Sequence, residues 1–195
     1  MRTSTISHSW DRIEAWLEVN APRTYSSLPP GAGREAIQMA ETVLGQTFPG
    51  ELAELLLRHD GSGYFDVIGV FQLLSVSAIV SNRQAATNLE VATQREGDTT
   101  GYFLREGYAL WHPSDLPFAS DSGGSLLILD TRPQATSSRV GKHDELGRTT
   151  FPADAMWESL NHLLDAVATA METRTPLGRY TATAKDGRLT WQGQV

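Results

Sequence analysis

The sequence predicts one α+β domain, in which a central mixed, largely antiparallel sheet packs against helices. The patterns follow the order helices, strands, helix, strands, helix and hairpin, without a regular alternation of strand and helix. A length of 195 residues is enough for one sizeable core and short for two domains. The 40% hydrophobic and 20% charged residues are typical of a folded globular protein.

The N-terminal part of the chain predicts an opening helix followed by a helix pair. Residues 7–18 place tryptophan and aliphatic side chains at helical spacing, and Ser7 or Ser9 can cap the first turn. Two further apolar stripes, over residues 34–45 and 48–61, each end at a glycine, which favours the left-handed conformation found after helices. We therefore expect these two helices to form a hairpin.

The middle of the chain predicts the strands of the sheet and one long helix. Residues 64–74 are rich in β-branched and aromatic side chains and predict short strand pieces around a bend. A helix follows over residues 75–96, and then a strand over residues 101–111. Residues 126–130 are apolar on both faces, which indicates a strand in the middle of the sheet. Residues 131–147 are mainly polar and predict a loop with at most one edge strand.

The C-terminal part predicts a helix and a β-hairpin. Residues 156–171 carry large apolar side chains on one stripe and polar ones on the other face. Residues 179–192 alternate around an Asp-Gly dipeptide, which favours a two-residue hairpin turn. An isolated hairpin is only marginally stable, so we expect it to lean on the body or on a partner. We divide the chain into a single α+β domain, residues 1–173, and a C-terminal β-hairpin extension, residues 174–195.

Composition narrows the kind of partner and the compartment. The 16 Lys and Arg against 23 Asp and Glu give a net charge of −7, and no basic run is present that could follow nucleic-acid phosphates. A basic protein partner therefore fits better than nucleic acid. The absence of cysteine excludes disulfides, thiolate metal sites and a cysteine nucleophile. Neither a signal peptide nor a membrane span is predicted, so we expect a cytoplasmic protein with no membrane association.

The run SDSGGSLLILD, residues 120–130, looks at first like the surroundings of a chymotrypsin-type serine nucleophile. Such a serine needs a histidine base and an aspartate within reach, and in that family they lie on two β-barrels. The upstream region predicts helices instead, and Ser120 and Ser125 depart from the family's motif. We interpret the run as a polar turn whose glycines supply positive φ before a strand. A hydrolase using Ser122 is kept as a third hypothesis.

The sequence contains no motif for metal or nucleotide binding. Histidine and aspartate occur together three times: His59 with Asp60, His112 with Asp115, and His143 with Asp144. None of these pairs has the spacing of a zinc motif, and no phosphate-binding glycine loop with a lysine is present. We therefore expect no catalytic residues, no metal, no cofactor and no enzymatic activity.

Several pieces of the chain form a recognisable series: the opening Trp-bearing helix, LPPGAGREAIQMAETVLGQTFPGELAELLLRHDG, FQLLSVSAI, LWHPSDLPFASDSGGSLLILD, Val140 and the amphipathic helix near the end. Taken in this order, they resemble the SUKH superfamily, which includes fungal cell-wall-assembly regulators and many bacterial toxin-immunity proteins. The resemblance covers residues 8–172, and the tail from Arg174 onward has no counterpart in it.

The resemblance implies an α+β domain that acts by binding. For bacterial members it implies the neutralisation of a cognate toxin by a stoichiometric complex. The alternative it leaves open is an intracellular interaction scaffold or regulator linked to cell-wall or envelope assembly. Neither the toxin's activity nor the oligomeric state follows from the residues.

Two groups of residues at predicted strand and helix ends are candidates for the partner-binding surface. They are Asp60, Tyr64, Phe65 and Asp66 in one group, and Trp111, His112, Asp115 and Asp121 in the other. For each residue taken singly, the alternative is structural: the aromatic side chains lie in the core, and the aspartates cap turns or are solvated.

Overall fold

The computed structural model describes residues 5–95, 111–132, 139–151 and 157–193, with residues 90–95 described by their backbone alone. Its helices are α1 (Ile6–Asn20), α2 (Pro22–Tyr25), α3 (Arg34–Leu44), α4 (Gly50–Arg58), α5 (Val76–Arg95) and α6 (Leu160–Thr173). Its strands are β1 (Gln72–Leu73), β2 (Asp115–Ser120), β3 (Leu126–Asp130), β4 (Val140–His143), β5 (Thr149–Thr150), β6 (Tyr180–Lys185) and β7 (Arg188–Gly193). The predicted α+β class is confirmed.

The five-stranded sheet has the order β1-β2-β3-β4-β5, and each described pairing in it is antiparallel. Strand β3 lies in the middle with all five residues buried, as its run of apolar side chains predicts. The polar stretch over residues 131–147 contains one strand, β4, but this strand is not at the edge as predicted, because β5 at residues 149–150 pairs with its outer side. The strand predicted over residues 101–111 lies outside the described residues, except for Trp111.

The main core lies where the helices meet the sheet. Helix α6 buries its predicted stripe, with Leu160, Leu163, Leu164, Val167 and Met171 fully enclosed. Each such side chain contributes about 1.5–3 kcal/mol relative to an exposed position. Helix α1 packs along α6, and the Arg12 guanidinium joins them at the surface through Asp165 (2.7 Å) and Glu172 (2.5 Å).

Two local expectations are corrected by the structure. The N-cap of α1 is Thr5, whose hydroxyl oxygen accepts from the His8 N–H, rather than Ser7 or Ser9. Of the strand pieces predicted over residues 64–74, only β1 and an isolated bridge form. Ser62 explains part of this, because its hydroxyl donates to the Phe65 carbonyl at 2.8 Å and holds residues 62–65 as a turn.

Strands β6 and β7 form the predicted C-terminal hairpin around Asp186 and Gly187, which both have positive φ as a type I′ turn requires. The hairpin leans on the body of the protein, since Ala182 and Leu189 lie in the main core. The Gly187 carbonyl also accepts from the main-chain N–H groups of residues 23 and 24, at 2.8 and 3.4 Å. Helix α2 has no side-chain cap, so this carbonyl satisfies N–H groups that its first turn leaves open.

Candidate functional site

The structure regroups the eight predicted binding residues. Strand β2 separates Asp115, at its start, from Asp121, which follows its end. Asp121 instead lies near Asp66, because Gln72 of β1 pairs with Ser120 and its side chain hydrogen-bonds the Asp66 carboxylate. The first predicted group therefore gains Asp121, and Trp111, His112 and Asp115 remain together about six residues of strand away.

Trp111 and Asp115 belong to the protein interior. Trp111 is 5% exposed, its indole N–H donates to the Thr87 hydroxyl (3.2 Å), and its ring meets His143 edge to face. Asp115 is fully buried and accepts from the His112 N–H at 3.0 Å. These two side chains stabilise the fold and present no surface to a partner, whereas His112 is exposed.

Asp115 faces Asp130 across β2 and β3, and the two carboxyl groups have opposite electrostatic environments. Burial raises the pKa of Asp115, and one of its oxygens has no hydrogen-bond partner in the described part of the chain. Burial alone would also raise the pKa of Asp130, but hydrogen bonds from Arg132 and Arg139 outweigh it and hold that pKa well below its usual range. Asp130 is thus held by two arginines, whereas the hydrogen bond from His112 and the charge of Arg132 offset the burial of Asp115 only in part.

Asp60 and Asp121 each hold a turn in place. The Asp60 carboxylate accepts from the Val76 N–H (2.7 Å) at the start of α5. Asp121 accepts from the N–H groups of Gly123 (2.9 Å) and Ser125 (2.8 Å). Both aspartates are only half-buried, so they hold local structure and keep some contact with solvent.

The turn after β2 supports the structural interpretation of the SDSGG run. Of its two glycines, Gly124 has the positive φ, +93°, and Gly123 does not. Ser122 is exposed on this turn, and no hydrogen bond joins it to a histidine within the described ranges. The arrangement releases the chain into β3 and does not position a nucleophile against a base.

Each of the three histidines flagged with an aspartate has a structural partner. The His59 ring contacts the Pro29 carbonyl through Nδ1 (2.6 Å) and Glu14 through Nε2 (2.9 Å). Nδ1 of His112 accepts from a main-chain N–H, and Nδ1 of His143 bonds the Thr149 hydroxyl. Over the residues that the structure describes, no three acidic or imidazole side chains come together as metal ligands would.

Tyr64, Phe65 and Asp66 line one wall of a groove of about 620 Å³. Strand β7 forms the opposite wall with residues 188–191, and residues 23–29 close one end. The Tyr64 side chain is fully exposed, while Phe65 packs partly against the core. Burial raises the pKa of Asp66, the hydrogen bond from Gln72 offsets part of this, and the charge of Asp121 adds to it.

The far wall brings in residues that the sequence did not mark as functional. The Trp191 indole N–H donates to the Asp66 carbonyl at 3.1 Å, which ties β7 to the loop that carries Tyr64. Arg23 and Arg188 lie at the groove with exposed side chains. The alternating pattern around Asp-Gly placed Trp191 on a strand, but only the tertiary structure shows what that strand faces.

The sequence profile of the SMI1 / KNR4 family (SUKH-1) matches residues 31–165, well over half of the chain. The match runs from just before α3 into α6 and includes the loop with Tyr64, Phe65 and Asp66. The hairpin of β6 and β7 lies beyond it. No curated protein matches the sequence. Among the described helices none is long and apolar enough to span a membrane.

Proposed function

The chain belongs to the SMI1 / KNR4 family (SUKH-1), as its motifs suggested, and from this membership we propose that it acts by binding a protein partner without catalysing a reaction. More specifically, we propose an immunity protein that neutralises a cognate bacterial toxin through a stoichiometric complex in the cytoplasm. The observation that carries the proposal is the groove between the Tyr64 loop and β7, which joins exposed aromatic and arginine side chains at one place.

The composition of the groove is that of a binding hot spot. Tyrosine, tryptophan and arginine are enriched at the centres of protein interfaces, where a few of them supply most of the affinity. Tyr64 is available for such a contact because its side chain has no packing partner to leave. Trp191 is held by its hydrogen bond to Asp66, so less conformational entropy is lost when a partner covers it.

The charge of the whole chain supports a basic partner. A net charge of −7 attracts a basic toxin over long distances and accelerates encounter more than it increases affinity. The specific contacts then decide how long the complex lasts. A nanomolar complex corresponds to about −12 kcal/mol, which a groove with a few buried aromatic anchors can provide.

The test is co-expression of the full chain with the toxic C-terminal domain of a large secreted protein encoded next to it. We expect rescue of growth and a one-to-one complex by calorimetry. Tyr64→Ala should weaken the complex about tenfold or more, whereas Met39→Ala, an exposed apolar side chain of α3 outside the groove, should not. Absence of both rescue and binding would overturn the proposal. Several endogenous partners without an adjacent toxin would point to the scaffold or regulator instead.

A further inference from the structure

On the premise that this protein binds a protein partner, we propose that the outer edge of β7 receives an extended, acidic segment of that partner as an added β-strand. The juxtaposition that carries this is an open main-chain edge beside Arg23 and Arg188, which form no ion pair with a described residue, within the groove opposite Tyr64. β-strand addition uses such edges, with main-chain hydrogen bonds for affinity and alternate side chains for specificity.

The pairing of the hairpin shows which main-chain groups of β7 point outward. In a two-residue hairpin the closing pair, here Lys185 and Arg188, exchanges hydrogen bonds, so every second residue of β7 points its N–H and C=O away from β6. The outward residues are then Leu189, Trp191 and Gly193. The Leu189 N–H bears this out, because it donates to the Thr24 hydroxyl on the far side from β6 (2.9 Å).

Most of this outward edge is open. The Leu189 carbonyl and the N–H and carbonyl of Trp191 make no hydrogen bond with any other residue in the described ranges. An added strand would lie about 4.8 Å from β7 and would meet these three groups in turn. Residues 188–191 of β7 line the groove of about 620 Å³, so this part of the strand borders open space.

The charge at the groove selects the side chains of the added strand. Arg23 and Arg188 are exposed and line the groove, and neither forms an ion pair with a described residue. The Arg23 stem packs over Gly187, which keeps its guanidinium beside the hairpin turn. One acid, Asp66, lies at the same groove, and its carboxylate is held by Gln72. Because the groove has two arginines and only this one acid, which is already hydrogen-bonded, it favours Asp or Glu side chains on the incoming strand.

This local charge is opposite to that of the whole chain. A net charge of −7 disfavours an acidic protein as a whole, so the partner we infer is basic overall and presents one acidic extended segment. Nucleic acid does not fit, since two arginines in an acidic protein supply little counterion release. A second copy of this chain paired edge to edge is the other occupant that the test must separate.

The test uses a displayed library of random heptapeptides, selected on the full chain after depletion on the Arg23→Glu/Arg188→Glu variant. We expect selected peptides that combine β-branched residues with Asp or Glu. Their Kd should rise roughly tenfold or more on the double variant. Arg179→Glu, an exposed arginine before β6 and outside the groove, should change Kd less than about twofold.

The backbone contribution is tested by N-methylation of the selected peptide at alternate positions. One register should abolish binding and the other should preserve it, because only every second residue of an added strand bonds to β7. No enrichment, or equal binding in both registers, would overturn the proposal. A concentration-dependent dimer that the peptide does not disperse would also overturn it, because β7 would then be occupied by a second copy.

These outcomes separate from those of the proposed function. If the chain rescues cells from a toxin and Arg23→Glu/Arg188→Glu does not change its affinity for that toxin, the immunity function is supported and the β7 edge is not part of it. Register-specific peptide binding without any rescue would have the reverse meaning. Circular dichroism of the double variant establishes that it is folded, which we expect because both side chains are exposed.

Discussion

The indole N–H of Trp191 donates to the main-chain carbonyl of Asp66 at 3.1 Å, across 125 residues of sequence. This hydrogen bond forms only when the hairpin and the loop before β1 are both in place. It therefore links the two segments of chain that form the walls of the groove. At the tip of the loop, where Tyr64 is fully exposed, the Ser62 hydroxyl also donates to the Phe65 carbonyl at 2.8 Å.

Replacing Trp191 with phenylalanine should loosen the groove while the ring stays in place. Trp191→Phe removes the N–H donor, and we expect the free energy of unfolding in urea to fall by about 0.5–1.5 kcal/mol. Hydrogen exchange of the loop amides near Tyr64 should accelerate. Trp16→Phe is the matched control, since no described hydrogen bond uses the Trp16 side chain and it is likewise half-buried. Equal effects of the two changes would contradict the role given to the Trp191 bond.

The same substitution at two facing aspartates should have opposite effects. Asp130→Asn breaks hydrogen bonds with Arg132 and Arg139 and should lower the free energy of unfolding at pH 7 by about 1.5–3 kcal/mol. Asp115→Asn removes a buried charge with an unpartnered oxygen and should raise it. Denaturant unfolding of both variants measures this. A loss of stability in both variants would show that the groups around Asp115 fully offset the cost of burying its charge.

The two aspartates also predict opposite pH dependences. The folded-state pKa of Asp130 is lowered, so its stabilisation is present above the unfolded value of about 3.9 and is lost as the pH falls toward the folded value. The folded-state pKa of Asp115 is raised, so its penalty is absent below about 3.9 and grows as the pH rises through the folded value. Urea unfolding measured from pH 2.5 to neutral should show that each pH dependence of stability is weakened in the corresponding asparagine variant.

The turn between β2 and β3 should depend on Gly124 and not on Ser122. With φ at +93°, an alanine at residue 124 is strained and should cost about 1–2 kcal/mol, although there is open space for its side chain. Gly124→Val should cost more. Ser122→Ala should change stability by less than about 0.5 kcal/mol, and Ser122 should not react with a fluorophosphonate. Labelling that Ser122→Ala abolishes would revive the hydrolase hypothesis.

The hairpin should stabilise the domain on which it packs. Leu189 is 7% exposed in the main core, and Leu189→Ala should lower the free energy of unfolding by about 2–5 kcal/mol. Gln192→Ala, on the exposed part of the same strand, should be near neutral. We keep residues 1–173 as the predicted domain and residues 174–195 as its extension, and removal of that extension should destabilise the rest. Unchanged stability of the truncated chain would contradict this.

Much of the fold could be predicted because local pattern and burial agree. The apolar stripe of α6, the turn at residues 186–187 and the central position of β3 each follow from side chains close together in sequence. The prediction errors lie where residues far away in the sequence determine the local structure. The loop over residues 64–71 has strand-forming residues, yet the hydrogen bond from the Ser62 hydroxyl to the Phe65 carbonyl and the left-handed Gly69 hold it as turns.

The candidate site was predictable in part for the same reason. Tyr64 and Asp66 could be marked from loop position and residue type, but Trp111 and Asp115 have the same surface-like signature and are buried by segments far away. Arg23 and Trp191 carried no local signal for a site. They meet only because the hairpin returns to α2 and to the loop before β1.

The hydrogen bond between Thr24 and Leu189 closes a span of 165 residues, and the Gly187 carbonyl reinforces it. The hairpin is held by a few hydrogen bonds and by the buried side chains of Ala182 and Leu189, so it can open by local unfolding before the rest of the core does. Opening would erase the β7 wall while α6 and the sheet stay intact. We therefore expect binding to weaken on warming before the protein melts. At such temperatures the fraction of molecules that can bind the partner should be smaller than the fraction that is folded.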